Sequence, residues 1–552
     1  MPAAESTSNA AHDGVHLVIL HHGLWGNKGH VKFIADQFKK RFGDRILVYR
    51  AESNESSLTY DGIDICAQRA VEEIHEVIRV IEDGGNIKDL QGRKNKGKQS
   101  SNKNKKGSNS SSSSTSSANS SPSNSRISSK NNSHEDLPST NSHTDRNGNG
   151  NSKRLKKVTQ FSFLGYSLGG LIGRFVLGML DMAKFFDPIE QGGRGIEPMY
   201  FVTMATPHLG IRMPSGSTWS KMFNYLSSRM LSRTGEQMQL IDEYIPGKPL
   251  LLVMSEADGL FIKALSKFKR RAVYCNIRND RSVPFWTASF SDADPFHELD
   301  AMEIQYNTGY SSLIESFEHY DAETLVRVQK EREASLKAAS YSERASKTLK
   351  SLPWRRYVLF GLLGPILIPV WIMFASTTIG YQGLNSRRRT KDIVATSEEL
   401  NRIKERASTT VLERYRDDDD DEDNNADSEA YTQKTEQSSH TQAAGEQKPA
   451  QPHTVVSVVP ETPFPSTLSQ EPKIVSYSFP DLKEVQPLGL IPVQVEISRN
   501  LNKLEWKKNI VHIEGWNSHA SIVVREKRFM HEGGVAAVQH AVEMFKEDGE
   551  DE

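Results

Sequence analysis

The sequence predicts an α/β protein whose mostly parallel sheet is flanked by helices, and three observations carry that expectation. Strand-like apolar runs alternate with helix-period segments near the start of the chain, at residues 15–20, 31–38 and 46–49. A β-branched and aromatic run at 158–164 leads directly into Gly165-Tyr166-Ser167-Leu168-Gly169. Beyond it, Leu168, Leu171, Ile172, Phe175, Val176 and Met179 recur at helical spacing. Strand, G-x-S-x-G turn and helix together make the context of a nucleophile elbow, in which a serine sits on a strained corner at the top of an α/β-hydrolase sheet. Small residues are required beside it because a Cβ would collide there.

Bulk properties narrow the class. The chain has 552 residues, but 36% hydrophobic content and a mean hydropathy of −0.56 leave too little apolar surface for packed core throughout. One core domain with long polar segments fits. A formal net charge of −1 lacks the basic excess that phosphate recognition needs, so no nucleic-acid partner is expected. Two cysteines, Cys66 and Cys275, exclude a disulfide framework and suit a reducing cytosol. Residues 1–14 show no apolar run behind a basic stretch, so no secretory signal is expected. No cluster has metal-ligand spacing and no phosphate-binding glycine loop with its lysine occurs; neither metal nor cofactor is expected.

The elements follow in order. Residues 15–20 read as a buried strand, 31–38 as a helix, 46–49 as a strand, and 61–81 as a helix with Ala70, Val71, Ile74, Val77 and Ile78 on one face. The composition then changes to Ser, Asn, Lys and Gly, most densely at 92–152, which predicts a disordered insertion over 85–154 between a helix and the nucleophile strand. After the elbow helix, 199–204, 250–254 and 272–277 read as further strands, with a helix around Phe261, Leu265 and Phe268. Residues 219–231 place Trp219, Met222, Phe223, Leu226 and Met230 on roughly one face, which suits either a lid or an ordinary packed helix. The hydrolase core is thus expected over 14–84 and 155–320, completed by 504–530 near the C-terminus.

Residues 357–381 carry no charge and are flanked by Arg355-Arg356 and Arg387-Arg388-Arg389. Such a run is long enough to cross a bilayer as a straight helix. Pro365 and Pro369, near Gly361 and Gly364, interrupt that picture. Residues 408–471, with five aspartates at 417–421, read as a disordered acidic linker.

A serine hydroxyl needs a histidine to take its proton and a carboxylate to orient the histidine. In this fold the order is Ser, then Asp or Glu, then His. Ser167 is the candidate nucleophile. Asp280 lies on the loop after the 272–277 strand, where the acid belongs, with Asp292 and Asp294 as substitutes; it also suits a plain turn former. For the base, the strand-like 509–513 is followed by a loop that ends in His519. His512 reads as part of that strand, and His208, His297 and His319 come too early or lack a following strand. The Leu168 amide, next to the nucleophile, and the Leu24 amide, in the His-Gly loop after the first strand, are the candidate oxyanion donors.

Taken together, HHGLWGN, GYSLGG, ATPHLG, NDRSVP and WNSHASIVVR resemble the fungal serine esterase family of lipase-like α/β-hydrolases, which includes a lipid-droplet phospholipase of yeasts. The resemblance covers 14–84, 155–320 and 504–530. It implies Ser167, Asp280 and His519 as the triad and cleavage of glycerophospholipid acyl esters at a lipid-droplet or endoplasmic-reticulum surface, with the catalytic domain facing the cytosol. A neutral-lipid lipase and a catalytically silent droplet adaptor are the alternatives. Ser167 and Asp280 precede the apolar segment and His519 follows it, yet all three must share one side of any membrane. Residues 357–381 are therefore expected to enter and leave one leaflet, as a proline-kinked hairpin or as a helix embedded in the surface.

Overall fold

The computed structural model of the protein describes residues 14–88, 90, 156–214, 218, 220–222, 224, 232–338, 354–423 and 488–546. Contacts divide the chain into Gly14–Arg79 with Lys157–Glu552, and Met1–Asp13 with Val80–Lys156. The larger unit holds the sheet and the site described below. The expected insertion lies outside the described residues except at its first few positions, as does most of 219–231.

Six strands form the main sheet: β1 (Gly14–His21), β2 (Ile46–Arg50), β3 (Lys157–Tyr166), β4 (Glu197–Met204), β5 (Arg270–Asn276) and, far along the chain, β8 (Lys507–Val511). Their order is β2-β1-β3-β4-β5-β8, and every neighbouring pair is parallel. Parallel strands need crossovers, which here carry helices onto both faces. Between β1 and β2 runs α1 (Lys32–Phe42); after β2 comes α2 (Ile63–Glu82); α3 (Leu168–Met182) leaves the end of β3.

Side-chain alternation sorts the two faces. Leu164 and Tyr166 of β3 join Val18, Leu20, Val202 and Tyr274 in a core packed against α1 and a late helix, Glu532–Glu543. On the opposite face Phe163 sits against Gly173 of α3, where a Cβ would meet its ring at 2.5 Å, and Phe161 packs edge-on to Phe185. Phe38 of α1 meets Phe545 with ring centroids 4.7 Å apart at 84°, while Arg41 forks onto Glu543 at 2.8 and 2.9 Å. The buried ring outweighs the half-exposed ion pair. Phe38→Ala should cost about 3–5 kcal/mol in chemical denaturation, and Arg41→Ala no more than about 1 kcal/mol.

Several histidines are structural. Burial pushes the His16 and His540 imidazoles down to about 4 and that of His21 to about 3. Each is neutral when folded but protonates near its ordinary value when unfolded, so the unfolded state binds more protons below about pH 6.5. Stability should therefore fall as the pH is lowered from about 6.5 towards 4, read as a declining urea midpoint.

The structure differs from expectation at six places. Residues 250–254 are not a strand: Leu250–Val253 is a short buried helix, started by a bond from the Leu250 amide to Asp242 Oδ2 at 2.9 Å. A brief apolar run has no periodicity that separates strand from helix, and the bond to a distant carboxylate decides it. Two antiparallel strands, β6 (Met302–Tyr306) and β7 (Ile314–His319), form a separate hairpin. His512 lies just past the end of β8, with its Nδ1 2.6 Å from the Tyr306 hydroxyl. The C-terminal part of the core runs beyond 504–530, from a helix at Pro492–Leu501 to Glu532–Glu543.

The apolar segment is the fifth. It lies inside one uninterrupted helix, α4 (Trp354–Thr396), followed by α5 (Glu398–Asp423). Of the two forms expected, the segment takes the helix and not the hairpin. Each proline removes one helix hydrogen bond, whereas a reversal strands several amides and carbonyls at two new helix ends, and 358–375 offers no Ser, Thr, Asn or Asp to cap them. The sixth is the start of the expected acidic linker, 408–423, which is helical as the end of α5. Among the described residues, no helix is long and apolar enough to cross a membrane.

The later part of α4 is fastened to the core. Asp61, wholly buried just before α2, accepts from Ser386 Oγ at 2.7 Å, from Arg389 Nε at 2.9 Å and from Arg69 at 2.6 Å, while Arg387 pairs with Glu236. Leu400 and Ile403 of α5 are buried against the same unit.

Candidate active site

Ser167 occupies the corner between β3 and α3 with φ 56° and ψ −127°. That backbone region is costly for a residue with a side chain, by about 1–3 kcal/mol, and persists only where neighbours hold it. The Ser167 amide donates to the Met204 carbonyl at 2.9 Å, and Thr206 Oγ1 donates to the Ser167 carbonyl at 2.9 Å. Two glycines make the room. A Cβ on Gly169 would meet the His21 carbonyl oxygen at 2.4 Å, and one on Gly23 would meet Ser167 Cβ at 2.6 Å. Gly169→Val should therefore lower the melting temperature sharply, overpacking of this kind costing about 1–3 kcal/mol or more.

Three chain-distant residues converge here. His519 Nε2 lies 3.1 Å from Ser167 Oγ, and His519 Nδ1 lies 2.8 Å from Asp280 Oδ2. The three are 8–9% exposed, so the cluster is shielded yet open on one side. Asp280 is placed for both of the parts considered for it. Its Oδ1 closes a turn, accepting from the Ser282 and Val283 amides at 3.0 and 2.8 Å, and its Oδ2 faces the imidazole. Of the substitutes, Asp294 turns onto its own chain, its Oδ1 accepting from the Phe296 amide at 3.0 Å. His208 is fully buried 3.0 Å from Thr203 Oγ1, and desolvation holds it well below its ordinary range; His319 sits in β7.

The histidine loop is braced at several points. Asn517 caps the short turn Ser518–Ser521 by accepting from the Ala520 amide at 3.1 Å. Tyr166, the residue before the serine, donates from its hydroxyl to the His519 carbonyl at 2.8 Å. Ser518 Oγ donates to the Arg278 carbonyl at 2.8 Å, and Asn279 Nδ2 to the Glu514 carbonyl at 3.2 Å, tying the loop of the base to the loop of the acid. Tyr166 and Thr206 stand inside GYSLGG and ATPHLG, so the motifs mark them; their partners lie too far along the chain for spacing to suggest the bonds.

For the oxyanion, Leu168 is the first residue of α3, where amides have no partner within the helix. Gly23–Gly26 is a tight turn in which the Gly26 amide donates to the Gly23 carbonyl at 3.0 Å and the Trp25 amide to Thr59 Oγ1 at 3.1 Å. The Leu24 amide serves neither bond. Among the described residues, no group of three His, Cys, Asp or Glu side chains is arranged to hold a metal ion.

A parallel sheet with a strained serine at a strand-to-helix corner, and a histidine and carboxylate in line behind it, defines a serine hydrolase of the α/β-hydrolase class. Residues 11–89 and 145–293, less than half of the chain, are similar to the model of the family described as "Putative serine esterase (DUF676)". The gap between them falls within the expected insertion, and His519 lies outside both. Among curated proteins, "Putative lipase ROG1" of Saccharomyces cerevisiae is 34% identical over 161 residues, 29% of this chain and 22% of its own length. "Putative lipase C4A8.10" of Schizosaccharomyces pombe is 32% identical over 140 residues, 25% of this chain and 17% of its own. The chain thus spans about a fifth of the length of the curated relatives it matches. Among solved structures, the "RedJ-Thioesterase from the Prodiginine biosynthetic pathway in Streptomyces coelicolor" is 11% identical, covering 52% of this chain and 76% of its own, with a TM-score of 0.20, a likeness too slight to carry any argument.

Proposed function

We propose that the protein hydrolyses acyl esters of glycerophospholipids at a membrane or lipid-droplet surface, with Ser167 as nucleophile, His519 as base and Asp280 as its orienting partner. The observation that carries the chemistry is the unbroken line from Ser167 Oγ through the imidazole to Asp280 Oδ2, at 3.1 and 2.8 Å. Ser167 Oγ attacks the ester carbonyl as its proton passes to His519 Nε2, and the Leu24 and Leu168 amides receive the charge that develops on the carbonyl oxygen. His519 returns the proton to the departing lysolipid, then draws one from water to release the fatty acid from the serine.

Exposed apolar side chains support action at a lipid surface. Trp25 follows Leu24 directly and is 54% exposed; Trp516, three residues before His519, is 76% exposed. Along α4, Val370, Met373, Phe374, Tyr381 and Leu384 are exposed at spacings of three, four and seven residues, a stripe along one side of the helix. Such a stripe suits a helix embedded in one leaflet, with both arginine clusters outside it. A neutral-lipid lipase is favoured by the relatives' names, which say lipase. Fatty-acid release from phospholipid vesicles and from triacylglycerol emulsions separates the two: activity on vesicles supports the proposal, and activity confined to emulsions selects the lipase. Met373→Asp with Tyr381→Asp should weaken sedimentation with phospholipid vesicles about tenfold or more, since charge is costly at that depth; undiminished sedimentation would reject the embedded helix.

A further inference from the structure

An apolar groove of about 470 Å³ lies between the Trp25 turn and α4, lined by Trp25, Tyr60, Phe374, Thr378, Ile379 and Gln382 among others, without one charged side chain. We propose that this groove takes the acyl chain of the scissile ester, making α4 a wall of the substrate site as well as a surface element. The inference rests on the reading of the protein as a lipid esterase and adds where its substrate lies and which residues select its length.

Position is the first argument. Gly23 abuts Ser167 so closely that a Cβ there would meet the serine hydroxyl at 3.0 Å, and two residues on, in the same tight turn, stands Trp25. An acyl carbon attached to Ser167 therefore has the Trp25 turn as an immediate neighbour. The second is chemistry: the rings of Trp25, Tyr60 and Phe374 and the aliphatic chain of Ile379 suit an alkyl chain, and the polar lining, Ser56, Ser57, Thr378 and Gln382, supplies no cation for a phosphate headgroup. The third is continuity, because Phe374 belongs both to the groove and to the exposed stripe, so a chain drawn from a lipid layer stays on apolar surface throughout.

The groove is also held together by a connected set of contacts. The Trp25 amide donates to Thr59 Oγ1, and the Trp25 ring packs on Tyr60 with centroids 6.0 Å apart. Asp61, next in sequence, is the buried carboxylate on which Ser386 and Arg389 of α4 converge. One short turn thus fixes both walls, which sets their separation.

The test is the chain-length profile of the full-length protein on p-nitrophenyl butyrate, octanoate and palmitate, all dispersed in the same detergent micelles. The parent's kcat/KM should rise with length, by up to about fourfold for each methylene the groove accepts. Ile379→Trp, which narrows the groove, should lower the palmitate-to-butyrate ratio of kcat/KM about tenfold or more, and the milder Phe374→Ala should lower it about threefold. Both should weaken binding of the fluorescent fatty acid cis-parinaric acid in proportion. An unchanged ratio and unchanged probe binding in both variants, or an equal loss on all three esters, would overturn the assignment. Absence of Ser167-dependent hydrolysis of any ester in the parent would instead sink the esterase reading, while probe binding sensitive to Ile379→Trp would still uphold the groove.

Discussion

Ser167→Ala is expected to lower fatty-acid release by about 10⁴-fold or more, with kcat rather than KM carrying the loss. The substitution removes one oxygen and leaves the backbone at φ 56°, where the bonds to Met204 and from Thr206 still hold it. Melting should therefore stay close to the parent's, so that the loss reports chemistry rather than unfolding. If the variant keeps more than a few per cent of the parent's activity, Ser167 is not the nucleophile.

Asp280→Asn should cost about 10³- to 10⁴-fold through a subtler route. The side-chain oxygen of asparagine can keep the turn bonds from the Ser282 and Val283 amides, which now go to Oδ1. The amide NH₂ then faces His519 Nδ1, the atom that stands 2.8 Å from Oδ2 in the parent. A donor there favours the tautomer with its proton on Nε2, and that nitrogen can no longer accept from Ser167. Near-parental stability with a collapsed kcat is the expected signature. Were activity and melting to fall together, the carboxylate would be acting through the turn alone.

Much of this was legible in the residues. The strand, turn and helix around Ser167 follow from a local pattern, as do β1, β2, β4 and β5, because strands buried on both faces leave continuous apolar runs and the intervening helices leave a period near 3.6. The β6–β7 hairpin is only half legible: Met302, Ile304 and Tyr306 alternate with Glu303 and Gln305 as in a half-exposed strand, whereas Ile314–His319 sets only Ile314 and Phe317 among polar residues and keeps no such alternation. The Leu250–Val253 run suggests a strand but forms a helix, being apolar throughout and too short to show any period.

The apolar helix is instructive in the same way. Its composition marks it unambiguously, while prolines and glycines suggested a break that the backbone does not make. Each proline removes one helix hydrogen bond, whereas a reversal would open two new helix ends with no polar side chain to cap them. Where it docks was beyond reach, because Asp61 and Arg389 are separated by more than three hundred residues and neither stands out among the charged residues of the chain.

The sequence by itself determined the chemistry available: a serine on a strained corner, an acid after a strand and a histidine after a later one, each recognisable because local backbone geometry demands particular residues at particular spacings. Only the tertiary structure decided which carboxylate meets which imidazole, that Tyr166 braces the histidine loop and Thr206 the serine, and that α4 faces the Trp25 turn across an apolar groove. Those contacts join residues distant along the chain, and their energies depend on burial and on distances that no local pattern records.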